Sequence, residues 1–405
     1  MKLNLGIIFG GRSVEHEISV VTAMQVIAAV DRSRYRVVPI YIAKDGTWYH
    51  GPGMEQVESF YQLPTLLAQA RKVVIAMLGN HCRLVMQKNY FWQRSREIDL
   101  DVVLPIMHGS CGEDGSLQGM LELWGVPYVG SGVLSSAIGM DKVATKWAMR
   151  SLGVNVVEDY WFYSDRWLSE RALVLQELKA KGFGYPLIVK PADLGSSVGV
   201  REVADDDELV EAIDLVVRLS NKVLVEPKVQ NMREINCAAL GDHESVITSV
   251  CEEPIFTGAV LSYADKYQSG ERDKSGKLKI NKVGCKTVGP NTGGMSSAQR
   301  EIPAKISSEL AREIKMVTQK IFRGLDCSGV VRMDYLWDEK QYRLYLCEIN
   351  TIPGSLAFYL WDYEGIDFTE LLERLIELAL KRYRQRGNLI RTYAGNILSG
   401  TITAE

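Results

Sequence analysis

An arginine, two carboxylates and an amide fall at alternate positions of two neighbouring apolar runs. The first run is Gly329-Val-Val-Arg-Met-Asp-Tyr-Leu-Trp337, and the second is Tyr342-Arg-Leu-Tyr-Leu-Cys-Glu-Ile-Asn-Thr-Ile-Pro-Gly354. Both alternate as strands do. Arg332 and Asp334 then share one face, as do Glu348 and Asn350. A loop of about three residues around Glu339–Gln341 closes a hairpin. In that register residue 332 lies opposite 348, with 334 its diagonal neighbour roughly 7–8 Å away. Four polar groups on one sheet face are costly to bury without a partner. Hard oxygen ligands beside an arginine suit Mg2+ carrying a polyphosphate. The plainer alternative is a solvated face with ordinary salt bridges.

Four further motifs sit where strands end. Gly10-Gly11-Arg-Ser13-Val-Glu15-His16-Glu17-Ile-Ser19 joins a strand to a helix, where backbone N–H groups can meet an anion or polar substrate. A capping box around Ser13 and His16–Glu17 is the structural alternative. His108-Gly-Ser-Cys-Gly112-Glu-Asp-Gly115-Ser-Leu-Gln118-Gly119 brings backbone close to a ligand or another loop. There Glu113 and Asp114 read as caps of the next helix, and His108 as a strand-end histidine bonded to backbone. Lys190-Pro-Ala-Asp-Leu-Gly195-Ser196-Ser197-Val-Gly199 can cradle phosphate, though it is not a Walker loop and an ordinary Gly/Ser turn has the same composition. Tyr263-Ala-Asp-Lys266-Tyr267 stands at the mouth of a long Gly/Lys/Ser-rich segment, Gln268–Ala298, as a lid or a surface strand end.

The elements that must position these residues follow from pattern. Residues 3–9 form a buried strand, 15–30 a helix, and Val37–Ala43 and Leu100–Met107 further strands, which predicts an open parallel sheet to about residue 140. A helix starts at Asp141, strands at Pro186–Lys190 and Lys222–Glu226 flank the helix Asp206–Leu219, and longer strands of an antiparallel or mixed sheet begin near 232. Helices follow at Ser307–Arg323 and Phe368–Arg386, the second with Leu371, Leu372, Leu375, Ile376 and Leu380 inside. The 405 residues suffice for two or three domains of α/β type. A net charge of −3 argues against a broad grip on nucleic acid. The absence of a ~20-residue apolar run argues against a membrane span. The short apolar N-terminus does not read as a signal peptide, so a cytoplasmic location is expected. Seven scattered cysteines without a CxxC pair, and five dispersed histidines, predict neither a disulfide framework nor a zinc site.

Taken together and in order, GGRSVEHEIS, HGSCGEDGSLQG, MDK at 140–142, KPADLGSSVGV, ADKY, RMD and EINTIPG resemble the D-alanine–D-alanine ligases of the ATP-grasp superfamily, over roughly residues 4–380. The resemblance implies an N-terminal α/β domain (1–140), a central ATP-grasp subdomain (141–230), a C-terminal ATP-grasp domain (231–390) with a lid loop at 266–302, and a tail (391–405). It implies ATP and two Mg2+ ions, with Mn2+ as a substitute, and ligands Asp334, Glu348 and Asn350. Lys142, Lys190, Ser197 and Lys266 would reach phosphate and adenine-side groups. Glu226, with the backbone of Lys228 and Val229, would hold adenine, and Glu234 the ribose, although one extra residue separates it from Glu226. Glu15 would hold the ammonium of the first D-alanine, Ser196 and Tyr267 would complete its hydrogen-bonded set, and His108 would lie near that substrate. Arg332 and the Gly354 N–H would hold the oxyanion, worth ~3–4 kcal/mol per donor. The implied reaction makes an acyl phosphate from the first D-alanine, which the amine of the second attacks. A lid is expected because an acyl phosphate hydrolyses in water. The protein would be a cytoplasmic homodimer.

Two departures stand out. The lid loop has about two dozen extra residues. After Gly354 the family's small-polar run becomes Ser355-Leu-Ala-Phe358-Tyr359-Leu-Trp361, with Tyr359 in place of a serine. Ser355 or the Tyr359 hydroxyl would then hold the acceptor carboxylate. Tyr267 favours an amino-acid acceptor over D-lactate. The competing readings are a sibling D-alanine–D-X ligase, an oxidoreductase built on Gly10-Gly11, against which the missing GxGxxG counts, and an ATP-binding regulator without activity.

Overall fold

The computed structural model describes residues 2–79, 81–87, 96–255 and 300–390. Its strands form three sheets. The first contains β1 (Leu3–Gly10), β2 (Tyr35–Ile42), β3 (Trp48–His50), β4 (Arg71–Leu78), β5 (His81–Met86), β6 (Glu97–Asp99) and β7 (Val102–Ile106), in the order β6-β5-β4-β3-β2-β1-β7. β1 pairs in parallel with β2 and β7, as the pattern predicts for these three. The rest of the sheet is antiparallel, a difference from the all-parallel expectation. For β2 and β3 the cause is the tight turn between them, where Gly46 N–H reaches the Ala43 carbonyl and Asp45 accepts from Thr47 N–H. So short a link cannot return a strand in parallel. β1 is buried on both faces, with Leu5, Ile7 and Phe9 in one core and Ile8 in another, so it reads as an unbroken apolar run.

The second sheet, β10-β9-β11-β8, is built from β8 (Tyr160–Tyr163), β9 (Leu187–Pro191), β10 (Arg201–Val203) and β11 (Lys222–Pro227), all antiparallel. The third, β14-β13-β12-β15-β16, contains β12 (Met232–Gly241), β13 (Val246–Pro254), β14 (Arg300–Glu301), β15 (Gly329–Asp338) and β16 (Arg343–Asn350). The helix Ser308–Gly324, capped by Ser307, lays Leu310, Ile314, Ile321 and Phe322 on one face of this sheet against Ile235, Val331, Met333 and Tyr335. The other face carries Glu234, Asn236, Arg332 and Asp334, and beyond them Ala238, Leu240 and Val330, which join the core of the first sheet.

The helix Phe368–Gly387 is capped by Asp367 and buries Leu371, Leu372, Leu375 and Ile376; Leu380 is half-buried. This helix, Leu356–Trp361 and the inner side of β1 share one core. That shared core fixes the Gly10 and His108 loops against the end of β16.

Candidate active site

The hairpin β15–β16 forms, with a register different from the expected one. Asp338 pairs with Arg343, so the loop holds residues 339–342. Asp338 Oδ1 accepts from the Lys340 and Gln341 N–H groups at 3.0 Å each, and Tyr342 closes the loop at φ +51°. The larger difference is a bulge. Leu344 and Leu346 face the core, and strict alternation would send Glu348 and Asn350 there with them. An extra residue, Cys347, interrupts the ladder between Tyr335↔Leu346 and Asp334↔Glu348. It turns Glu348 and Asn350 to the polar face and Ile349 to the core. Arg332 therefore lies opposite Asn350, not 348, and Asp334 directly opposite Glu348.

Arg332 grips Asp334 with two bonds, Nε to Oδ1 at 2.7 Å and Nη2 to Oδ2 at 2.8 Å, and Asn350 Nδ2 donates to Oδ2 at 3.0 Å. Burial works against the arginine's charge, but Asp334 overrides it and raises the pKa. The remaining nitrogen, Nη1, is buried and has no partner among the described residues. An orphaned buried donor costs about 1–3 kcal/mol, so this nitrogen is suited to an incoming anion. The oxygens of Asp334, Glu348 and Asn350 form a hard donor set on one face and fit Mg2+.

A cleft between the second and third sheets gathers most of the predicted nucleotide residues. Lys142, Lys190, Ser197, Glu226, Lys228, Val229 and Glu234 line it together with Asp334 and Glu348. Neighbouring strands β9 and β11 end near it with Lys190 and Glu226, whose Nζ and Oε2 are 2.5 Å apart. Lys146 Nζ holds the other oxygen, also at 2.5 Å. Burial would raise the Glu226 pKa, but the two lysines hold it down at about 2. Lys190 is raised, Glu226 outweighing the burial that would lower it. Lys146 escaped the sequence reading; its signal was position i+4 from Lys142, on the same helix face. Lys142 Nζ donates to the Leu194 carbonyl at 2.6 Å, and Lys228 pairs with Glu202 at 2.8 Å.

A second cluster forms at the carboxyl ends of β1 and β7. Ser196 Oγ donates to Glu15. Both Ser196 and Ser197 sit in the left-handed region, at φ +53° and +58°, a local strain of roughly 1 kcal/mol or more apiece. Glycine is required around this carboxylate. A Cβ on Gly109 would lie 2.6 Å from Glu15 Oε2, and one on Gly195 2.8 Å from it. No capping box forms: Ser13 Oγ accepts from Glu15 N–H, while His16 bonds to the Gly11 carbonyl and the Tyr41 hydroxyl. Neither expected cap is the N-cap of the helix Ser116–Leu123, which is Gly115; Asp114, one residue before it, accepts from Cys111 and Ser116 N–H. Glu113 accepts from Gly109 N–H at 2.8 Å and Ile352 N–H at 2.9 Å, linking the β7 loop to the segment after β16. Its pKa is raised by burial and by Glu15. His108 bonds through Nε2 to Thr22 Oγ1 at 3.1 Å and also bonds to the Ile352 backbone, and burial pushes its pKa down to about 4.

Gly354 opens the third cluster. Ser355, Leu356 and Ala357 follow in consecutive left-handed conformations, φ +55°, +52° and +50°, all buried. Ser355 N–H donates to Thr22 Oγ1 at 3.3 Å, so Thr22 bridges His108 and Ser355. The Tyr359 hydroxyl donates to Glu252 at 3.1 Å and the ring lies under Arg300. Lys146, Thr22, Glu252 and Arg300 fall outside the sequence prediction, which gave Glu113 only as a helix cap. Lys266, Tyr267, most of the 266–302 loop and the 391–405 tail lie outside the described residues.

Comparison with known proteins points one way. A model described as D-ala D-ala ligase N-terminus matches residues 4–131, and one described as D-ala D-ala ligase C-terminus matches 148–284 and 291–377. A protein from Thermosipho melanesiensis named D-alanine--D-alanine ligase is 37% identical over 384 residues, 95% of each chain. Among solved structures, the D-alanine-D-alanine ligase from Coxiella burnetii aligns with a TM-score of 0.74 at 28% identity, covering 96% of this chain and 97% of that one. The VanG D-Ala:D-Ser ligase from Enterococcus faecalis aligns at 0.75 and 28%, covering 94% and 100%.

Proposed function

The chain belongs to the D-alanine–D-alanine ligase family, and we propose that it joins two D-alanines at the expense of ATP, through an acyl phosphate, for peptidoglycan precursor synthesis. One observation carries this reading. The lysine-lined cleft opens onto the face of the third sheet that carries the Asp334–Glu348 pair and the orphaned Arg332 Nη1.

The residues take these roles. Lys142 and Lys190 face the polyphosphate, with Ser197 on the turn that covers it. Glu226, Lys228 and Val229 border adenine, and Glu234 the ribose. Asp334, Glu348 and Asn350 hold two Mg2+ ions, with Mn2+ as a substitute, which supply charge neutralisation for phosphoryl transfer. Glu15, fixed by Ser196, receives the ammonium of the donor D-alanine, and His108 stands behind that substrate. Arg332 Nη1 and the Gly354 N–H receive the oxyanion when the second amine attacks. Ser355 and Tyr359 border the acceptor, and Lys266 and Tyr267 act from the 266–302 loop. Residues 1–140, 141–230 and 231–390 are the three domains of a cytoplasmic homodimer. No helix of the described residues is long and apolar enough to cross a membrane.

The test is phosphate release from ATP with D-alanine, D-serine, D-lactate and glycine as acceptors at neutral pH, with product masses determined. D-alanyl-D-alanine is expected as the main product. Release with D-lactate but not with D-alanine as acceptor would transfer the chain to the D-alanine–D-X reading.

A further inference from the structure

Beside the oxyanion corner lies a second arginine that the phosphate chemistry does not use. Arg300 is on β14, at the edge of the third sheet. Its guanidinium lies 4.3 Å from the centroid of the Tyr359 ring, and its Nη1 donates to Glu252 at 2.7 Å. The Tyr359 hydroxyl donates to the other Glu252 oxygen at 3.1 Å, and Asn236 Nδ2 approaches that oxygen at 3.4 Å. Asn236 pairs with Glu252 on one side and Asp334 on the other. Glu252, Asn236, Asp334 and Glu348 thus form one row across four strands, with Arg300 on its first acid and Arg332 on its third member. Glu252 is completely buried and the Arg300 side chain is 9% exposed. Tyr359 is buried between the two guanidinium groups' fields, and its hydroxyl is held up at about 12, chiefly by that burial.

An α-amino acid carries its carboxylate on the carbon that bears its amine. An amine attacking beside Arg332 Nη1 therefore brings a carboxylate into the same buried corner. Leaving it unpaired there is costly. Arg332 has already committed two of its nitrogens to Asp334. Arg300 is the other buried guanidinium against Tyr359, and its planar fork matches a carboxylate better than a hydroxyl does. A tyrosine where the family's pattern has a serine then has a physical use: it offers a ring for the arginine to stack on.

We propose that Arg300 is the residue that binds the acceptor carboxylate, with Tyr359 and Glu252 as positioning residues that hold its fork. The proposal rests on the ligase reading and extends it to recognition of the second substrate. The Tyr359 hydroxyl acts through Glu252 and not on the substrate.

The test is a competition in the full chain. D-alanine and D-alaninamide, which lacks the acceptor charge, are supplied together with ATP, and the ratio of dipeptide acid to dipeptide amide is read by mass. The wild type is expected to favour the acid strongly. Arg300→Gln should lower that preference on the order of 10–100-fold, the worth of a charged hydrogen bond. It should also raise the acceptor KM more than it lowers kcat. Arg300→Lys, which keeps the charge but not the fork, should fall between them and serves where the glutamine variant does not fold. Tyr359→Phe, which keeps the stack, should move the ratio less than either. An unchanged ratio in a folded Arg300 variant overturns the proposal and leaves the ligase reading standing. Failure of the wild type to form either product overturns the ligase reading itself.

Discussion

The proposed phosphate side and the proposed acceptor side of the site are built differently. On the phosphate side, charged residues stand on regular strands and on one helix and neutralise each other, Lys190 and Lys146 on Glu226 and Arg332 on Asp334. On the acceptor side, the run Ser355–Ala357 carries no charge of its own. Its shape comes from three successive left-handed residues pinned by a shared core, and its charges arrive from β13 and β14. Paired charges on strands demand fixed residue types, so that half of the chemistry tolerates little change. A strained turn inside a core can change its side chains while the backbone path holds. Substrate choice is best varied there, because the oxyanion corner is left alone.

The sharpest way to break this contrast is Asp334→Asn. It removes a metal-side oxygen charge and leaves the Arg332 guanidinium buried without its partner. Ligase turnover, followed by phosphate release, should fall by about 10³-fold, several kcal/mol of transition-state stabilisation. A loss below tenfold would mean that the row of acids is structural.

Glu226→Gln tests whether the phosphate side depends on pairing. Two buried ammonium groups lose their counter-charge, and the fold should lose about 3–5 kcal/mol in chemical denaturation. The pH dependence has a definite sign. Glu226 is held at about 2, below its ordinary 4.5, so its contribution is present above pH 4.5 and is lost as pH falls toward 2. The variant should therefore show a flatter acid limb over that window.

How far the chain could be read without coordinates follows the same division. The strands that lead into the Gly10, His108 and Lys190 turns were visible, because strand alternation and glycine-rich turns are local patterns. The hairpin itself was found, but not its bulge. Leu344, Leu346, Glu348 and Asn350 have the same parity, and only the extra residue at Cys347 separates core from site. Pattern fixes a face relative to neighbours and cannot show where the ladder slips. The roles of Glu113, Thr22 and Arg300 were missed for a different reason. Each acts on a residue far away in sequence, Ile352, Ser355 and Tyr359 respectively, and no local spacing encodes such a contact. The antiparallel return of β3 on β2 hung on one short turn.

His108 joins the two sides, through Thr22 to Ser355. Burial holds it at about 4, against an ordinary 6.5, so it is neutral in the fold. The unfolded chain takes up a proton first as pH falls, and stability present above pH 6.5 is lost on the way down to 4. Between pH 6.5 and 5 this amounts to about 2 kcal/mol. His108→Gln should remove that slope in urea titrations at the two pH values. A slope that persists would assign it to other groups.

The smallest effect is the most direct test of strain. Ala357 and Ala379 are alike in burial, 0% and 3% exposed, but one is left-handed at φ +50° and the other lies inside the helix Phe368–Gly387. Replacing either by glycine removes a buried methyl, about 0.8 kcal/mol, and adds backbone freedom to the unfolded chain, roughly 0.5–1 kcal/mol. At Ala379 these losses add, and a cost of about 1.3–1.8 kcal/mol is expected. At Ala357 glycine also relieves the left-handed conformation, roughly 1–2 kcal/mol, which cancels most of the loss. Ala357→Gly should therefore be close to neutral. If the two substitutions cost the same, the acceptor turn holds no strain, and the contrast between a charge-paired and a strain-shaped half of the site fails.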